Sequence, residues 1–459
     1  MNRYWIETYG CQMNKAESTA LENGMLDQGW SPASRAEEAD LVILNTCSVR
    51  ETAEERVRGR IGSYRALKKR QPFTLVVMGC MAERLKDRLR GEAPEVDLVV
   101  GTFQKQSFLR LLRSLSPDPA PPPSEAPVGS GESAPTGSAA PGPAGTPAVE
   151  GCYEFASLHA REGDSKAFVP IMHGCDNFCS YCIVPYVRGR EVSRDPEEVF
   201  AELEQLFSRG VREVTLLGQN VNSYRFPTRN GVLDFPGLLE GLFRRFPHAP
   251  WVRFLTSHPK DFSPRLIRTM AEHRSLCRHI HLPVQHGSDA ILAAMNRKYT
   301  REEYIRLVRS IREALPGVSI GTDILIGFPG ETEEDFRLTL DLMEELRFDD
   351  AFTYHYNPRE GTRAFGMPDT VPREIKLERL DRVIRLQRKT TRERRKERLG
   401  GVETVLVEGV SRKREGELLA RTEKDDMVVF PGRPDAIGGF ARVRLAELRG
   451  NTFRGEPVG

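Results

Sequence analysis

Short apolar runs alternate with longer amphipathic segments through the first quarter of the chain. The runs are apolar or β-branched and predict strands, whereas the segments between them have helical periodicity. The expected strands span 3–9, 41–46, 73–79 and 96–100, and the expected helices span 15–28, 51–69 and 82–90. Strands that alternate with helices indicate a doubly wound, parallel α/β sheet.

The same alternation returns in larger units between about 165 and 360. The expected strands span 168–172, 211–217, 251–255, 279–283, 318–326 and 351–356. The expected helices span 196–209, 236–246, 263–273, 301–315 and 331–347. Six units are too few for an eightfold barrel, so we expect a partial, open (β/α)6 barrel whose active face lies at the carboxyl ends of its strands.

In the last part of the chain, the spacing of apolar positions changes from that of a helix to that of β-strands. A helix is expected over 372–400, where twelve Lys and Arg stand against five Asp and Glu. Such a charge run is typical either of a solvated helix face or of a helix that contacts RNA phosphates. Short β-type runs follow at 402–407, 417–421, 427–430 and 440–445. Four or five strands in this length predict a small β-barrel, which either binds RNA or serves as a structural cap.

A stretch without apolar periodicity separates the first domain from the rest. From 116 to 151 the sequence is dominated by Pro, Ala, Gly and Ser, which predicts a disordered linker. We therefore expect an N-terminal domain, a linker, a barrel core and a C-terminal barrel, at 1–115, 116–157, 158–389 and 390–456.

Overall composition narrows the class of protein. Lys and Arg total 67 and Asp and Glu total 65, so any nucleic-acid surface must come from local segregation of charge. No apolar run is long enough to span a bilayer and the first residues lack a signal-peptide core, so we expect a cytoplasmic protein without membrane contact. Eight cysteines in such a chain favour metal or redox chemistry over a disulfide framework.

Three cysteines occupy one short loop directly after the first strand of the expected barrel. Cys175, Cys179 and Cys182 have the spacing C-x3-C-x2-C, which lets three thiolates converge on one soft metal centre. A catalytic centre keeps an open position for substrate or cofactor, whereas a structural zinc site is closed by a fourth protein ligand. His173 could supply that ligand, so a closed Cys3His zinc site is the alternative.

Three further cysteines follow three different strands of the N-terminal domain. Cys11, Cys47 and Cys80 each stand at the end of an expected strand and the start of an expected helix. Because the carboxyl ends of parallel strands meet at one edge of a sheet, residues far apart in sequence converge there. We therefore expect a second three-cysteine cluster, with three ordinary buried cysteines as the alternative.

Polar side chains gather at the carboxyl ends of the barrel strands. Amides, hydroxyls and a carboxylate at this rim suit a polar cofactor or substrate, although each alone is also a common turn or cap residue. The candidate contacts are Gln219, Asn220, Ser257, Gln285 and Asp323.

The loop of Cys175, Cys179 and Cys182 resembles the C-x3-C-x-aromatic-C motif of the radical SAM enzymes. In that family the three cysteines hold a [4Fe-4S] cluster. Its open iron binds S-adenosylmethionine (SAM), which an electron from the cluster cleaves to a radical. Tyr181 matches the aromatic residue that lies near the adenine of SAM.

Over nearly its whole length the chain resembles the methylthiotransferase branch of that family, which joins a three-cysteine domain, a radical SAM core and a C-terminal TRAM barrel. The resemblance implies an auxiliary [4Fe-4S] cluster on Cys11, Cys47 and Cys80, so that all six cysteines are both metal ligands and catalytic. Within the branch, the run Asn45-Thr-Cys-Ser-Val-Arg50-Glu51 is similar to the tRNA-2-methylthio-N6-dimethylallyladenosine synthases.

The resemblance implies methylthiolation of C2 of N6-isopentenyladenosine beside the anticodon of tRNA. Two SAM molecules would serve each turnover, one as methyl donor to a sulfur at the auxiliary cluster and one as the radical source. The implied partners are the tRNA anticodon stem-loop, held by the TRAM barrel and the basic helix, and an electron donor such as flavodoxin or ferredoxin. The enzyme is expected to act as a monomer.

Two other substrates are alternatives within this branch, namely threonylcarbamoyladenosine in tRNA and an aspartate of a ribosomal protein. A non-catalytic, zinc-bearing RNA-binding protein is the remote alternative from another class. The chain also departs from the family pattern, which has a serine where His286 stands, so no role for that hydroxyl carries over.

Overall fold

The computed structural model describes residues 2–48, 51–115, 153–255 and 257–458. They form two compact units, one made of Met1–Tyr9 and Leu21–Ala156 and the other of Gly10–Ala20 and Ser157–Gly459. Most of the expected linker, together with Cys152, lies outside the described residues. No helix within the described ranges is long and apolar enough to cross a bilayer.

The N-terminal region contains a five-stranded parallel sheet in the order β2-β1-β3-β4-β5. Its elements are β1 (Arg3–Thr8), α1 (Gln12–Leu26), β2 (Ser31–Pro32), β3 (Leu41–Thr46), α2 (Glu51–Lys68), β4 (Thr74–Gly79), α3 (Cys80–Glu92), β5 (Leu98–Val100) and α4 (Lys105–Leu115). The expected doubly wound sheet is confirmed, whereas β2 and α4 were not predicted.

Strand β3 shows why this sheet forms, because every one of its residues is buried. Leu41 and Ile43 pack into a cluster with Phe108 of α4, while Val42 and Leu44 pack into a second cluster with Ile61 of α2. Successive side chains of a strand point to opposite faces, so a continuous apolar run is stable only when both faces are covered. Helices therefore cover both faces of the sheet.

The second unit contains six parallel strands that form a partial barrel. Their order is β6-β9-β12 in one three-stranded sheet and β13-β14-β15 in the other, and a parallel bridge between Val252 and Leu276 joins the two. The elements are β6 (Lys166–Pro170), β7 (Met172–His173), α5 (Val184–Arg188), β8 (Val192–Ser193), α6 (Pro196–Ser208), β9 (Glu213–Leu217), β10 (Arg225–Thr228), β11 (Gly231–Asp234), α7 (Phe235–Arg245), β12 (Trp251–Leu255), α8 (Pro264–Glu272), β13 (His279–His281), α9 (Asp289–Ala294), α10 (Arg301–Ala314), β14 (Ser319–Ile326), α11 (Glu333–Leu346), β15 (Asp350–His355) and α12 (Arg373–Lys396). The expected (β/α)6 architecture is confirmed.

A closed five-stranded barrel completes the second unit, in the order β16-β17-β18-β20-β19. Its strands are β16 (Val402–Val410), β17 (Glu417–Thr422), β18 (Met427–Pro431), β19 (Phe440–Arg449) and β20 (Thr452–Pro457). Alternate residues such as Val405, Val443 and Phe453 fill its interior and are completely buried. Closure leaves the small sheet without exposed edges.

Helix α12 carries the basic run noted in the sequence, and it also contains the expected boundary between 389 and 390. Seven of the twelve basic residues of 372–400 form ion pairs within the protein: Lys376, Arg379, Arg382, Arg385, Arg394, Arg395 and Arg398. The other five are exposed and have no ion pair with the described residues: Arg373, Arg388, Lys389, Arg392 and Lys396. Arg388, Arg392 and Lys396 recur every four residues and therefore share one face of the helix.

Candidate functional site

The loop of three cysteines lies between β7 and α5, at the carboxyl end of the first barrel strand. Cys175 and Cys179 are each 9% exposed, and Cys182 is partly buried. Gly174 enters the loop with a left-handed φ of +82°, and a Cβ there would lie 1.9 Å from the carbonyl oxygen of Arg190. Only glycine, which has no Cβ, fits such a close approach of two backbone segments. The turn into the loop therefore requires a glycine at position 174.

The segment that follows α9 holds the far side of the cysteine loop. The backbone N–H of Ser180 donates to the Met295 carbonyl at 3.0 Å, and the Asn296 side chain donates to the Phe178 carbonyl at 2.8 Å. Phe178 itself has a left-handed φ of +47°. These contacts fix the backbone on which the cysteines stand, so the loop is preorganised.

Burial controls the ionisation of the loop thiols. It raises the pKa of Cys175 to about 11, and it raises the pKa of Cys182 further, with a contribution from the neighbouring Cys179 thiol. Thiolates bind metals, so a positively charged metal centre is needed to stabilise the deprotonated form here. The seven described cysteines form no disulfide. Cys277, outside both triads, is buried, and burial raises its pKa to about 12.

The chemistry of the three donors on this loop fits an iron-sulfur cluster. Thiolates are the usual ligands of [4Fe-4S] clusters, and three of them leave one iron open for a cofactor. The Nδ1 atom of His173, the residue considered as a fourth ligand, lies 3.4 Å from the Arg188 guanidinium. Within the described ranges, no group of three or more His, Cys, Asp or Glu side chains is arranged to hold a single metal ion.

Gln219 and Asn220, two predicted ligand contacts, use their amides inside the protein. The Gln219 side-chain oxygen accepts a hydrogen bond of 2.6 Å from the N–H of Gly174. Asn220 accepts from the N–H of His258 at 3.0 Å and donates to Asp261 at 2.6 Å. Both residues therefore shape the rim of the barrel, and Gln219 anchors the cysteine loop.

Ser257 belongs to a buried polar group that is incompletely hydrogen-bonded. Its hydroxyl donates to the side-chain oxygen of Asn222 at 3.1 Å. The Nδ2 atom of Asn222 and the Nε2 atom of His258 are buried and have no hydrogen-bond partner among the described residues. Burial, together with the Arg297 charge, lowers the pKa of His258 to about 2, so its ring is neutral. Buried polar atoms are nearly always satisfied, so these two fit a bound polar ligand such as SAM.

Gln285 and Asp323 lie on neighbouring parallel segments. Gln285 has a left-handed φ of +72°, and its N–H donates to the Asp323 carbonyl at 2.8 Å. The Gln285 side-chain amide has no hydrogen-bond partner among the described residues, so it can serve a ligand. The Asp323 carboxylate lies 3.3 Å from Nε2 of His281. Burial disfavours charge on His281, but the hydrogen bond and charge of Asp323 outweigh it and raise the pKa of this histidine.

Tyr181, the predicted adenine neighbour, packs against an apolar cluster at the carboxyl end of β14. The cluster includes Met295, Leu325 and Phe328. Burial raises the pKa of Tyr181 well above its usual value, so the phenol is neutral. A flat, neutral ring beside the cysteine loop suits contact with a nucleobase.

His286 has a structural role. It is fully buried, with Nε2 3.1 Å from the Glu331 carboxylate, and Nδ1 accepts from the Ser288 N–H at 3.0 Å. Glu331 also forms an ion pair of 2.7 Å with Arg379. The histidine therefore ties the loop after β13 to the loop after β14.

Two of the N-terminal cysteines stand at neighbouring strand ends of the first unit. Cys47 directly follows β3, and Cys80 opens α3 directly after β4; both are buried. Gly79 has a φ of +95°, and a Cβ there would lie 2.5 Å from the Thr46 carbonyl oxygen. A glycine is required where β4 passes this close to β3, and it places Cys80 at the edge of the sheet.

Cys11 belongs to the second unit, so the convergence of all three N-terminal cysteines stays a prediction. Its thiol lies 3.5 Å from the side-chain oxygen of Asn14. Arg188, at the end of α5, donates to the same Asn14 oxygen at 3.2 Å and forms a buried ion pair of 2.8 Å with Glu17. The segment with Cys11 is therefore tied to the helix that ends the cysteine loop.

The sequence predicted no role at this site for three residues that the structure places there: Arg188, Asn296 and Arg297. Arg297 is buried, and its guanidinium lies 3.3 Å from the Cys179 sulfur. Asn296 and Arg297 stand in a short polar run after α9 that looks like an ordinary surface loop. Only their contacts, made across more than a hundred positions of chain, reveal the role.

Three parts of the chain match described families. Residues 3–101 match the "Uncharacterized protein family UPF0004", residues 169–343 match the radical SAM superfamily, and residues 396–458 match the TRAM domain. The fold is similar to the structure of a radical S-adenosylmethionine methyltransferase, TsrM, from Kitasatospora setae. That similarity has a TM-score of 0.56 at 19% identity and covers 80% of this chain and 74% of the other.

Curated relatives match nearly the whole chain, and they are described as tRNA-2-methylthio-N(6)-dimethylallyladenosine synthase. The protein from Treponema denticola is 49% identical over 98% of this chain and 99% of its own length. The protein from Geobacter sulfurreducens is 44% identical over 100% of this chain and 98% of its own. The chain therefore belongs to the family of the tRNA-2-methylthio-N(6)-dimethylallyladenosine synthases, within the radical SAM superfamily.

Proposed function

We propose that the protein is a tRNA methylthiotransferase that modifies C2 of N6-isopentenyladenosine beside the anticodon. The observation that carries this proposal is the full-length similarity to those synthases, in a chain that has both cysteine triads at strand ends. When bound, two [4Fe-4S] clusters and two SAM molecules supply the radical chemistry and the methylthio group.

The chain's own residues hold and orient these groups. Cys175, Cys179 and Cys182 are the ligands of the SAM cluster, on a loop that Gln219 and the segment after α9 keep in place. The second cluster is held by Cys11, Cys47 and Cys80. Because each triad leaves one iron without a protein ligand, each cluster keeps a position for a cofactor or for sulfur.

The rim of the partial barrel would hold SAM. Tyr181 would provide a flat wall for its adenine, and the unsatisfied atoms of Asn222 and His258 would hydrogen-bond to its polar groups. The free amide of Gln285 and the His281–Asp323 pair are further groups that can contact SAM or the substrate base. Asn220 and Ser257 act indirectly, since they orient His258 and Asn222.

The RNA-binding surface includes the exposed face of α12 and the C-terminal barrel. Arg388, Arg392 and Lys396 form a stripe whose charges are not neutralised by described neighbours, so they are available to phosphates. The anticodon stem-loop binds there, and the target base leaves its stack to reach the strand ends of the partial barrel. A flavodoxin or ferredoxin serves as the electron donor, and the protein works as a monomer in the cytoplasm.

Nucleoside mass spectrometry tests the substrate. In a strain that lacks the gene, the methylthio group should disappear from isopentenyladenosine of tRNA only. The wild-type gene should restore it, whereas a gene with Cys179→Ala should not. Loss from threonylcarbamoyladenosine, or loss from a ribosomal-protein aspartate in parallel mass spectrometry of the ribosomal proteins, would overturn the proposed substrate.

Metal analysis tests the cofactors. After anaerobic reconstitution we expect about eight irons and about eight sulfides per chain, for two four-iron clusters. Removal of either cysteine triad should lower the iron content by about half. Zinc in place of iron would favour the zinc-bearing RNA-binding protein.

A further inference from the structure

Arg297 is a buried cation at the cysteine loop. Its side chain donates to the Tyr299 hydroxyl at 2.9 Å, to the Pro283 carbonyl at 2.9 Å and to the Cys179 sulfur at 3.3 Å. Its guanidinium also lies 5.2 Å from the centre of the Tyr299 ring. The residue is 5% exposed, and it forms no ion pair with a carboxylate of the described residues.

A buried charge without a counter-ion is strongly destabilising, and proteins usually pair or remove such charges. The oxygens around Arg297 do not neutralise it, because one is a carbonyl and the other is a buried phenol. Burial raises the pKa of Tyr299 to about 12, so that phenol carries no charge at neutral pH. The remaining partner is the sulfur of Cys179, and the environment is therefore built for an anion at that sulfur.

We propose that Arg297 is the counter-ion of the iron-sulfur cluster bound at Cys179, and that it favours the reduced state of this cluster. The inference rests on the proposed function, which places a cluster on Cys175, Cys179 and Cys182. The step involved is the uptake of one electron from a low-potential donor such as a reduced flavodoxin or ferredoxin. No bond is broken and no proton is transferred.

The physical reason is the change in charge. A [4Fe-4S] cluster with three thiolates carries net negative charge, and reduction adds one more negative charge. A fixed cation at hydrogen-bond distance from one sulfur stabilises the more negative state more strongly, especially where water is excluded. Arg297 therefore raises the reduction potential and makes the cluster easier to reduce.

A redox titration followed by electron paramagnetic resonance tests this proposal. The background is the full chain with Cys11→Ala, Cys47→Ala and Cys80→Ala, in which the remaining cluster is that of Cys175, Cys179 and Cys182. The titration is performed without SAM, and iron content and circular dichroism are measured for each variant. Arg297→Met should lower the ratio of reduced to oxidised cluster at a fixed potential by about tenfold, which corresponds to about 59 mV for a one-electron couple.

Three further variants make the result specific. Arg297→Lys keeps the charge, so its ratio of reduced to oxidised cluster should be higher than that of Arg297→Met. Arg297→Gln keeps an N–H donor without the charge, so its ratio of reduced to oxidised cluster should lie between those of the Met variant and the parent. If the Met variant does not fold, the Gln variant tests the proposal. Arg306→Met removes an arginine of α10 that is 62% exposed and should leave the ratio unchanged.

The outcomes separate this inference from the proposed function. If the background chain holds about four irons and the Met and Gln variants titrate like the parent, the inference is overturned while the proposed function stands. If these variants keep the parent's potential but lose SAM binding, Arg297 is instead a partner of the SAM carboxylate. If the background chain holds no iron, the proposed cluster itself is wrong.

Discussion

The two cysteine triads are built in opposite ways. Cys175, Cys179 and Cys182 stand on one loop, and nearby backbone hydrogen bonds fix that loop. Cys11, Cys47 and Cys80 follow three different strands, and their positions depend on the sheet and on the helices around it. A local loop can be disrupted without loss of the fold, whereas a distributed set depends on the whole domain.

The same contrast appears in the glycines that precede the cysteines. Gly174 allows two segments of one loop to pass closely, whereas Gly79 allows close passage of two central strands. A change at either glycine should remove iron, but only a change at Gly79 should weaken the sheet. Four predictions test this contrast, in order of decreasing effect on stability.

Arg188→Met should have the largest effect, because Arg188 contacts residues beside Cys11 and also ends the cysteine loop. The change breaks the buried ion pair between Arg188 and Glu17, which costs about 3–5 kcal/mol. We expect a corresponding fall in the free energy of unfolding, measured by urea denaturation. Arg190→Met is the matched control, since its pair with Asp176 is exposed and contributes about 0–1 kcal/mol. Equal effects of the two variants would contradict the assigned role.

Gly79→Ala should destabilise the first unit. The added Cβ meets a backbone oxygen at 2.5 Å in a left-handed conformation, so strain of about 1–3 kcal/mol is the minimum cost. We expect a lower melting temperature together with the loss of about four irons. Gly91→Ala in α3 meets no atom within 4 Å, so it should not lower the melting temperature and should leave the iron content unchanged. Iron loss without a change in melting temperature would show that the edge of the sheet behaves like a local loop.

Gly174→Ala should remove about four irons with little effect on global unfolding. Gly163→Ala is a close control, because both glycines have a φ of +82° and only Gly174 faces a close backbone contact. Strain from the left-handed conformation is therefore common to both variants, and the difference in iron content isolates the clash at the loop. Iron loss in both variants would mean that the left-handed strain, and not the backbone clash at Gly174, causes the loss.

The fold was largely predictable because its signals are local. Strand β3 is a continuous apolar run, and the barrel strands start and end within a few residues of their expected positions. Helix α4 was missed although Phe108 and Leu112 have the four-residue spacing of a buried helix face. The sequence predicted four or five strands for the C-terminal barrel but gave no range for β20, because apolar and polar residues alternate only weakly in that strand.

The site was less predictable because residue type does not specify a partner. Gln219 and Asn220 were predicted as ligand contacts from their amides; those amides bind backbone atoms and Asp261, and their contact with a ligand stays a prediction. Arg297 was not predicted, because a single arginine in a polar loop is usually solvated. Its burial and its contact with Cys179 arise from packing between segments that are far apart in the chain.

The smallest effect is expected between the neighbouring barrel strands β13 and β14, where Asp323 raises the pKa of His281. A raised folded-state pKa means that the protonated pair stabilises the protein fully below the unfolded pKa of about 6.5. This stabilisation is lost as the pH rises through the folded pKa. Asp323→Asn should therefore lower the unfolding free energy more at pH 5.5 than at pH 9, and nuclear magnetic resonance should show a lower His281 pKa. A pH-independent loss would mean that Asp323 acts through packing and backbone contacts alone, and that the charge of the His281–Asp323 pair does not stabilise these two strands.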